Sequence, residues 1–187
     1  MDRKQEIRDA VVRIAADYGA RGVSASRIAA EVGVSDAAVF KHYRSMEMLL
    51  GATLDQASRD VLDLLPDPSR GSALERIARF LQALFDLLEA RPGYYRLLFQ
   101  GDLVAGGRLT GKLELIAQRL HAEMKSLVLE AVGAGALRAD TDPDRLAQAL
   151  FGCVHAACAG RMILGRPENL RNAGMPMARL TIQGSLT

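Results

Sequence analysis

Tryptophan is absent from the 187 residues and aromatic side chains make up only 5%, which removes much of the material from which a sheet core is built. β-Branched residues never cluster as strands would require, whereas the helix formers Leu, Ala, Arg and Glu are common. The composition therefore predicts an all-α chain, long enough for one domain with a substantial core or for a small domain joined to a larger one. There are only two cysteines, Cys153 and Cys158. On one helix they diverge by roughly 140°, which argues against a disulfide between them.

A bias of charge is missing too. The formal net charge is +2, and residues 1–50 hold eight Lys and Arg against seven Asp and Glu. No basic arm is present, so any affinity for nucleic acid must come from a few placed cations and backbone amides. No unbroken hydrophobic run occurs: Leu146 to Leu164 is interrupted by Gln148, His155 and Arg161, a poor pattern for a spanning helix. The opening Asp2, Arg3, Lys4, Gln5 and Glu6 is unlike a secretory leader. A cytoplasmic protein without membrane contact is expected.

Enzyme signatures are lacking as well, with no Gly-rich phosphate loop and no nucleophile elbow. Cys153, His155 and Cys158 suggest a metal, but on a helix His155 points about 200° from Cys153, so they cannot converge. Asp140, Asp142 and Asp144 resemble the start of a calcium loop, yet its sixth position is Arg145 and its twelfth Phe151. Neither a metal, a cofactor nor catalysis is expected.

What is present is helical periodicity. Ile7, Val11, Ile14 and Tyr18 make one stripe on a helix from about Arg3 to Tyr18. Ser24 caps a short helix through Val32, Gly33 stops it, and Ser35 caps a third that ends near Tyr43. A fourth follows Ser45 and runs until Pro66 and Pro68. Leu74, Ile77, Leu81, Leu84 and Leu88 mark a fifth, and Tyr94 to Phe99 a short sixth. After a loop at Gly101 to Gly107, a long helix runs from Leu109 to Ala131. Asp142 and Pro143 open another to Leu164, and a last one spans about Pro176 to Gly184. The division expected is a three-helix head at 1–47 and a larger helical body at 48–187, about nine helices in all.

Two short helices joined at Gly33 have the spacing of a helix-turn-helix, whose second helix enters the DNA major groove. Ala29 permits close approach, while Ile28, Val32, Val34 and Val39 form an underside against Ile14 and Tyr18. Ser35, Asp36, Ala37, Ala38 and Lys41 are left for DNA. Lys41 can donate to guanine. Asp36 can accept from a cytosine amino group or simply complement the helix dipole.

The stretch from Ser24 to Leu50, SASRIAAEVGVSDAAVFKHYRSMEMLL, resembles the signature of the tetracycline-repressor family. Ile28, Ala29, Gly33, Val34, Ser35, Phe40, His42, Tyr43, Ser45, Glu47 and Leu49 fall where that family has the same or a similar residue. The resemblance implies that Phe40 and His42 lie beside the phosphate backbone and that Ser35, Ala37, Ala38 and Lys41 face the groove. It also implies contacts from Ser24, Ser26 and Arg27; Arg44 is a further candidate. Three departures stand out: Ala37 and Ala38 where the family often has Gly-Thr, Phe40 for Tyr, and Met46 for a phosphate-binding Lys.

For the body the resemblance is one of outline, and it implies a homodimer formed by the last two long helices around an effector-sensing domain. Gly152, Ala156 and Gly160 offer a small-residue seam for such packing. Pocket candidates are Phe85, Tyr95, Phe99, Ile116, Leu120, Met124, Phe151 and His155, a mostly apolar set that suits a neutral or greasy effector. The function expected is a repressor that reads a palindrome with two heads about 34 Å apart. A small molecule would release it by changing that separation through helix four. The alternatives are a DNA-binding protein controlled by a protein partner and a helical enzyme.

Overall fold

The computed structural model describes residues 2–100 and 109–187, with Phe99 and Gln100 by backbone alone. Among them are nine α-helices: α1 (Arg3–Tyr18), α2 (Ala25–Val32), α3 (Asp36–His42), α4 (Met46–Leu62), α5 (Ala73–Ala90), α6 (Pro92–Gln100), α7 (Thr110–Gly133), α8 (Pro143–Leu164) and α9 (Leu170–Gln183). The all-α expectation is met. The loop expected at Gly101 to Gly107 lies outside the described residues.

The chain divides into two compact units, one made of Met1–Asp60 with Ala90–Ile116, the other of Val61–Glu89 with Ala117–Thr187. In the first, α1 is the central element. Its Ile7, Ala10, Val11, Ile14 and Ala15 are buried, with Ile28 and Ala29 of α2, Val39 of α3, Leu49, Leu50 and Leu54 of α4, and Tyr94, Tyr95 and Leu97 of α6 completing the core. Helices α1 and α6 approach each other tightly at Gly93. A Cβ there would lie 1.9 Å from the Val12 carbonyl oxygen, so the pair packs this tightly only because residue 93 lacks a side chain.

In the second unit α5 buries Ala73, Ile77, Phe80, Leu81, Leu84, Phe85 and Leu88 in the predicted stripe, together with one unpredicted member, Arg76. That guanidinium is nearly inaccessible and donates to Glu130 of α7. The partner explains how a cation is accommodated among apolar neighbours. Phe80 meets Phe151 of α8 edge to face, with centroids 6.4 Å apart.

Two helix boundaries and one burial differ from expectation. The last helix starts at Leu170, six residues before Pro176, because the Asn169 side chain caps it by accepting from the Asn172 amide at 2.7 Å. Buried Leu170, Gly174 and Met175 then hold the first turns in place although Pro176 removes one backbone donor. Helix α6 begins at Pro92 rather than Tyr94, proline being suited to a first helical position. Tyr18, expected beneath the second and third helices, is 62% exposed. Gly19, at φ 73°, turns the chain away at that point and leaves the ring outside.

Candidate nucleic-acid interface

The pair α2 and α3 is built by local chemistry. Ser24, in extended conformation, caps α2 by accepting from the Arg27 amide. At the other end Gly33 is left-handed (φ 70°, ψ 40°), and the Val34 amide reaches back to the Ala29 carbonyl at 2.9 Å, which closes the helix and starts the turn. Ser35 then caps α3 by accepting from the Ala38 amide at 3.3 Å. Each of the three residues whose type was singled out in the sequence therefore performs the expected step.

Helix α3 has one fully buried residue, Val39. It anchors the helix on the core and turns Asp36, Ala37, Phe40 and Lys41 outward, all of them exposed, with Ser35 exposed before them and Arg44 after. Ala38 and His42 are half-buried. Small Ala37 and protruding Lys41 on one outward face form a surface that can approach base edges closely and still donate to them.

Helix α2 contributes Ser26 and Arg27, both exposed, and half-buried Ser24. Arg27 is committed locally: it donates to the Gly22 carbonyl at 2.9 Å, and its guanidinium lies 4.5 Å from the Tyr18 ring centroid. That stacking also gives exposed Tyr18 a role in holding the cation. Sequence reasoning missed how α3 is held at its far end. Tyr43, the C-cap, is buried and accepts from Arg8 of α1 at 2.6 Å.

The pocket candidates divide between the units. In the first, Tyr95 is buried and Ile116 half-buried; in the second, Phe85 and Met124 are buried, Leu120 and Phe151 half-buried, and His155 exposed. The Phe99 side chain lies outside the described residues. The ring of Phe85 fills the space above Gly174, where a Cβ would lie 1.9 Å from its Cζ. Of the seam residues, Gly152 and Ala156 are exposed and Gly160 is half-buried. Their face of α8 continues into Ile163, 78% exposed. By length and composition alone α8 could cross a membrane, but 39% of that stretch is buried within the fold.

Cys153, Asp142 and Asp144 each have partners within the fold. Cys153 Sγ lies 3.5 Å from the Thr181 hydroxyl, and Cys158 is buried. Asp142 caps α8 by accepting from the Asp144 and Arg145 amides. Asp144 pairs with Lys125 at 2.6 Å and His121 at 3.2 Å, and the Lys125 hydrogen bond, followed by that of His121, holds its carboxyl below the usual range.

A capped helix, a left-handed glycine turn and a short outward helix, near the N-terminus of an all-helical chain, define a DNA-binding regulator of the helix-turn-helix class. Residues 7–53 match the family model described as bacterial regulatory proteins of the tetR family, and residues 105–175 match the tetracyclin repressor-like C-terminal domain. The chain belongs to the tetR family of transcriptional regulators.

Relatives are distant. The nucleoid occlusion factor SlmA of Idiomarina loihiensis is 25% identical over 134 residues, spanning 69% of this chain and 67% of that protein. Among solved structures, a TetR transcription regulator from Haloarcula marismortui superposes with a TM-score of 0.81 at 20% identity, covering 98% of each chain. FadR of Bacillus subtilis, solved in complex with stearoyl-CoA, superposes at 0.78 with 19% identity, covering 96% of this chain and 98% of FadR. At these identities the likeness is one of fold.

Proposed function

We propose that this regulator is a ligand-responsive repressor that binds a palindromic operator as a homodimer and is released by a small apolar molecule. The observation that carries the DNA-reading part is the outward face of α3, where exposed Ser35, Asp36, Ala37 and Lys41 are carried by a helix pinned at Val39. Lys41 reads a base edge, Phe40, His42 and Arg44 lie along the backbone, and Ser24 and Ser26 add contacts from α2, with Arg27 adding one through the guanidinium N–H groups that Gly22 does not take. Residues 1–47 are the reading head and 48–187 the effector and dimerisation body, working in the cytoplasm without catalysis.

The homodimer reading is supported by the exposed apolar surface of α8 at Gly152, Ala156 and Ile163, where one helix can lie close against a copy of itself. The effector reading is supported by the fold shared with FadR, which was solved with stearoyl-CoA, and by the apolar character of Phe85, Leu120, Met124 and Phe151. A second reading, control by a protein partner rather than a small molecule, is favoured by the sequence relatives that are nucleoid occlusion factors.

Selection of random duplex DNA by the purified protein tests the conclusion, with wild type compared with Lys41→Ala at one salt concentration. Enrichment of a palindrome, weakened by the substitution, is the expected result; no enriched sequence would overturn it. Release of the selected duplex by long-chain acyl compounds separates the effector reading from partner control.

A further inference from the structure

A line of polar side chains runs through the first unit from the end of α3 to the base of α6 and the last turns of α4. It starts at Tyr43, whose buried hydroxyl accepts from Arg8 Nη1 at 2.6 Å and donates to the Lys4 carbonyl at 3.3 Å. Arg8 Nη2 donates to Gln5 Oε1 at 2.6 Å, and Gln5 Nε2 donates to Asp9 Oδ1 at 3.0 Å. The same Asp9 oxygen accepts from Arg91 Nη1 at 3.2 Å. Arg91 also donates to the Tyr94 hydroxyl at 2.9 Å, which in turn donates to Asp60 Oδ2 at 2.5 Å. Asp60 Oδ1 accepts from Gln56 Nε2 at 2.6 Å.

Both tyrosines of this line are buried and the stretch between them is open. Tyr94 is wholly buried and Tyr43 nearly so. Burial, with Asp60 accepting its proton, pushes the Tyr94 hydroxyl well above its ordinary range, so it remains a donor. The Asp9–Arg91 pair is 25% and 38% exposed and borders a cleft of about 300 Å³ lined by Val12, Arg13, Ala16 and Pro92 among others. Arg8 even leaves its Nε buried without a hydrogen-bond partner while its two other nitrogens serve Tyr43 and Gln5. Its placement follows the line, not its own solvation.

We infer that Asp9, Arg91 and Tyr94 are positioning residues for DNA reading: acting through Gln5 and Arg8, they fix Tyr43 and with it the end of α3 that presents Lys41 and Arg44. The inference rests on α3 being the reading helix. The two tyrosines are buried, and a buried group that loses its partner pulls its neighbours toward new ones, while the half-exposed side chains between them pass the change on through their shared hydrogen bonds. Removing the Tyr94 hydroxyl therefore leaves Arg91 and Asp60 to repair, and the change reaches Tyr43 through Asp9. No Lys41 contact is touched.

The experiment uses the full chain and the duplex selected above, with Tyr43→Phe, Tyr94→Phe, Asp9→Asn and the Tyr43→Phe/Tyr94→Phe double variant, all assayed well below their melting temperatures. Each single substitution is expected to weaken binding about three- to tenfold. The double should be no weaker than the worse single, because both cut one line, whereas Tyr94→Phe and Lys41→Ala should multiply. Amide exchange at Val39 to Tyr43 should accelerate in Tyr94→Phe even without DNA. A Tyr94→Phe protein with a lowered melting temperature but affinity within twofold of wild type would make the line simple structural glue and overturn the inference. So would Tyr43 and Tyr94 effects that multiply. A chain that selects no duplex removes the DNA reading itself, and the exchange arm then still reports whether the two tyrosines are coupled.

Discussion

Gly93 and Val12 touch backbone to backbone: a side chain begun at Gly93 would meet the Val12 carbonyl carbon at 2.8 Å and its oxygen at 1.9 Å. Backbone cannot rotate aside as a flexible side chain would, so Gly93→Ala must push α6 off α1. The expected cost is about 1–3 kcal/mol, seen as a lower denaturant midpoint with an unchanged slope. An unaltered midpoint would mean that the approach is looser than the geometry gives.

The second unit holds a similar relationship with a different remedy. A Cβ at Gly174 would strike the Phe85 ring at 1.9–2.6 Å. Gly174→Ala should therefore destabilise by about 1–3 kcal/mol. Because the obstacle is a side chain, Phe85→Leu in the same protein should recover part of the loss. Additive effects of the two substitutions would refute direct contact.

The residues that make these units were unevenly legible. Caps and turns could be read because Ser24, Gly33, Ser35 and Asp142 act on their own neighbours, and local chemistry needs no knowledge of the fold. The stripe on α5 was legible by its period, yet Arg76 was not, since only the approach of Glu130 from far along the chain makes a buried cation tolerable there. Pro176 misled for the opposite reason: its cost is local, and the burial of Leu170 and Met175 that outweighs it is not. The exposure of Ser35, Asp36, Ala37 and Lys41 at α3 could be anticipated, though Ala38 is half-buried, whereas the hold on its far end could not, because Arg8 and Tyr43 are 35 residues apart.

Cys158 carries a prediction in pH. Burial pushes its thiol up to about 11 from its ordinary value of 9.0, with Arg161 opposing. A raised value favours the protonated form in the folded state. The associated stability is present below pH 9 and is lost as pH rises toward 11. At pH 8 only about one part in a thousand of such a thiol is ionised, so iodoacetamide should modify Cys158 far more slowly in the native protein than after unfolding in denaturant. Equal rates in the two states would show that the thiol is neither buried nor suppressed.

Met46 stands at the start of α4, half-buried, with Ser45 accepting from the Met48 amide at 3.1 Å just before it. The resemblance noted for Ser24 to Leu50 implies a phosphate-binding lysine often found at this position, and a thioether cannot neutralise a phosphate. Met46→Lys should therefore tighten operator binding at low salt and steepen the dependence of log affinity on log salt by about 0.9, the signature of one more phosphate neutralised. A lysine at a helix N-terminus opposes the helix dipole, so a loss of a few tenths of a kcal/mol in stability should accompany the gain. Tighter binding without a steeper slope would come from better packing rather than a phosphate contact. An unchanged slope and affinity would mean that residue 46 does not reach the backbone, and that this head sits on DNA differently from the heads it resembles.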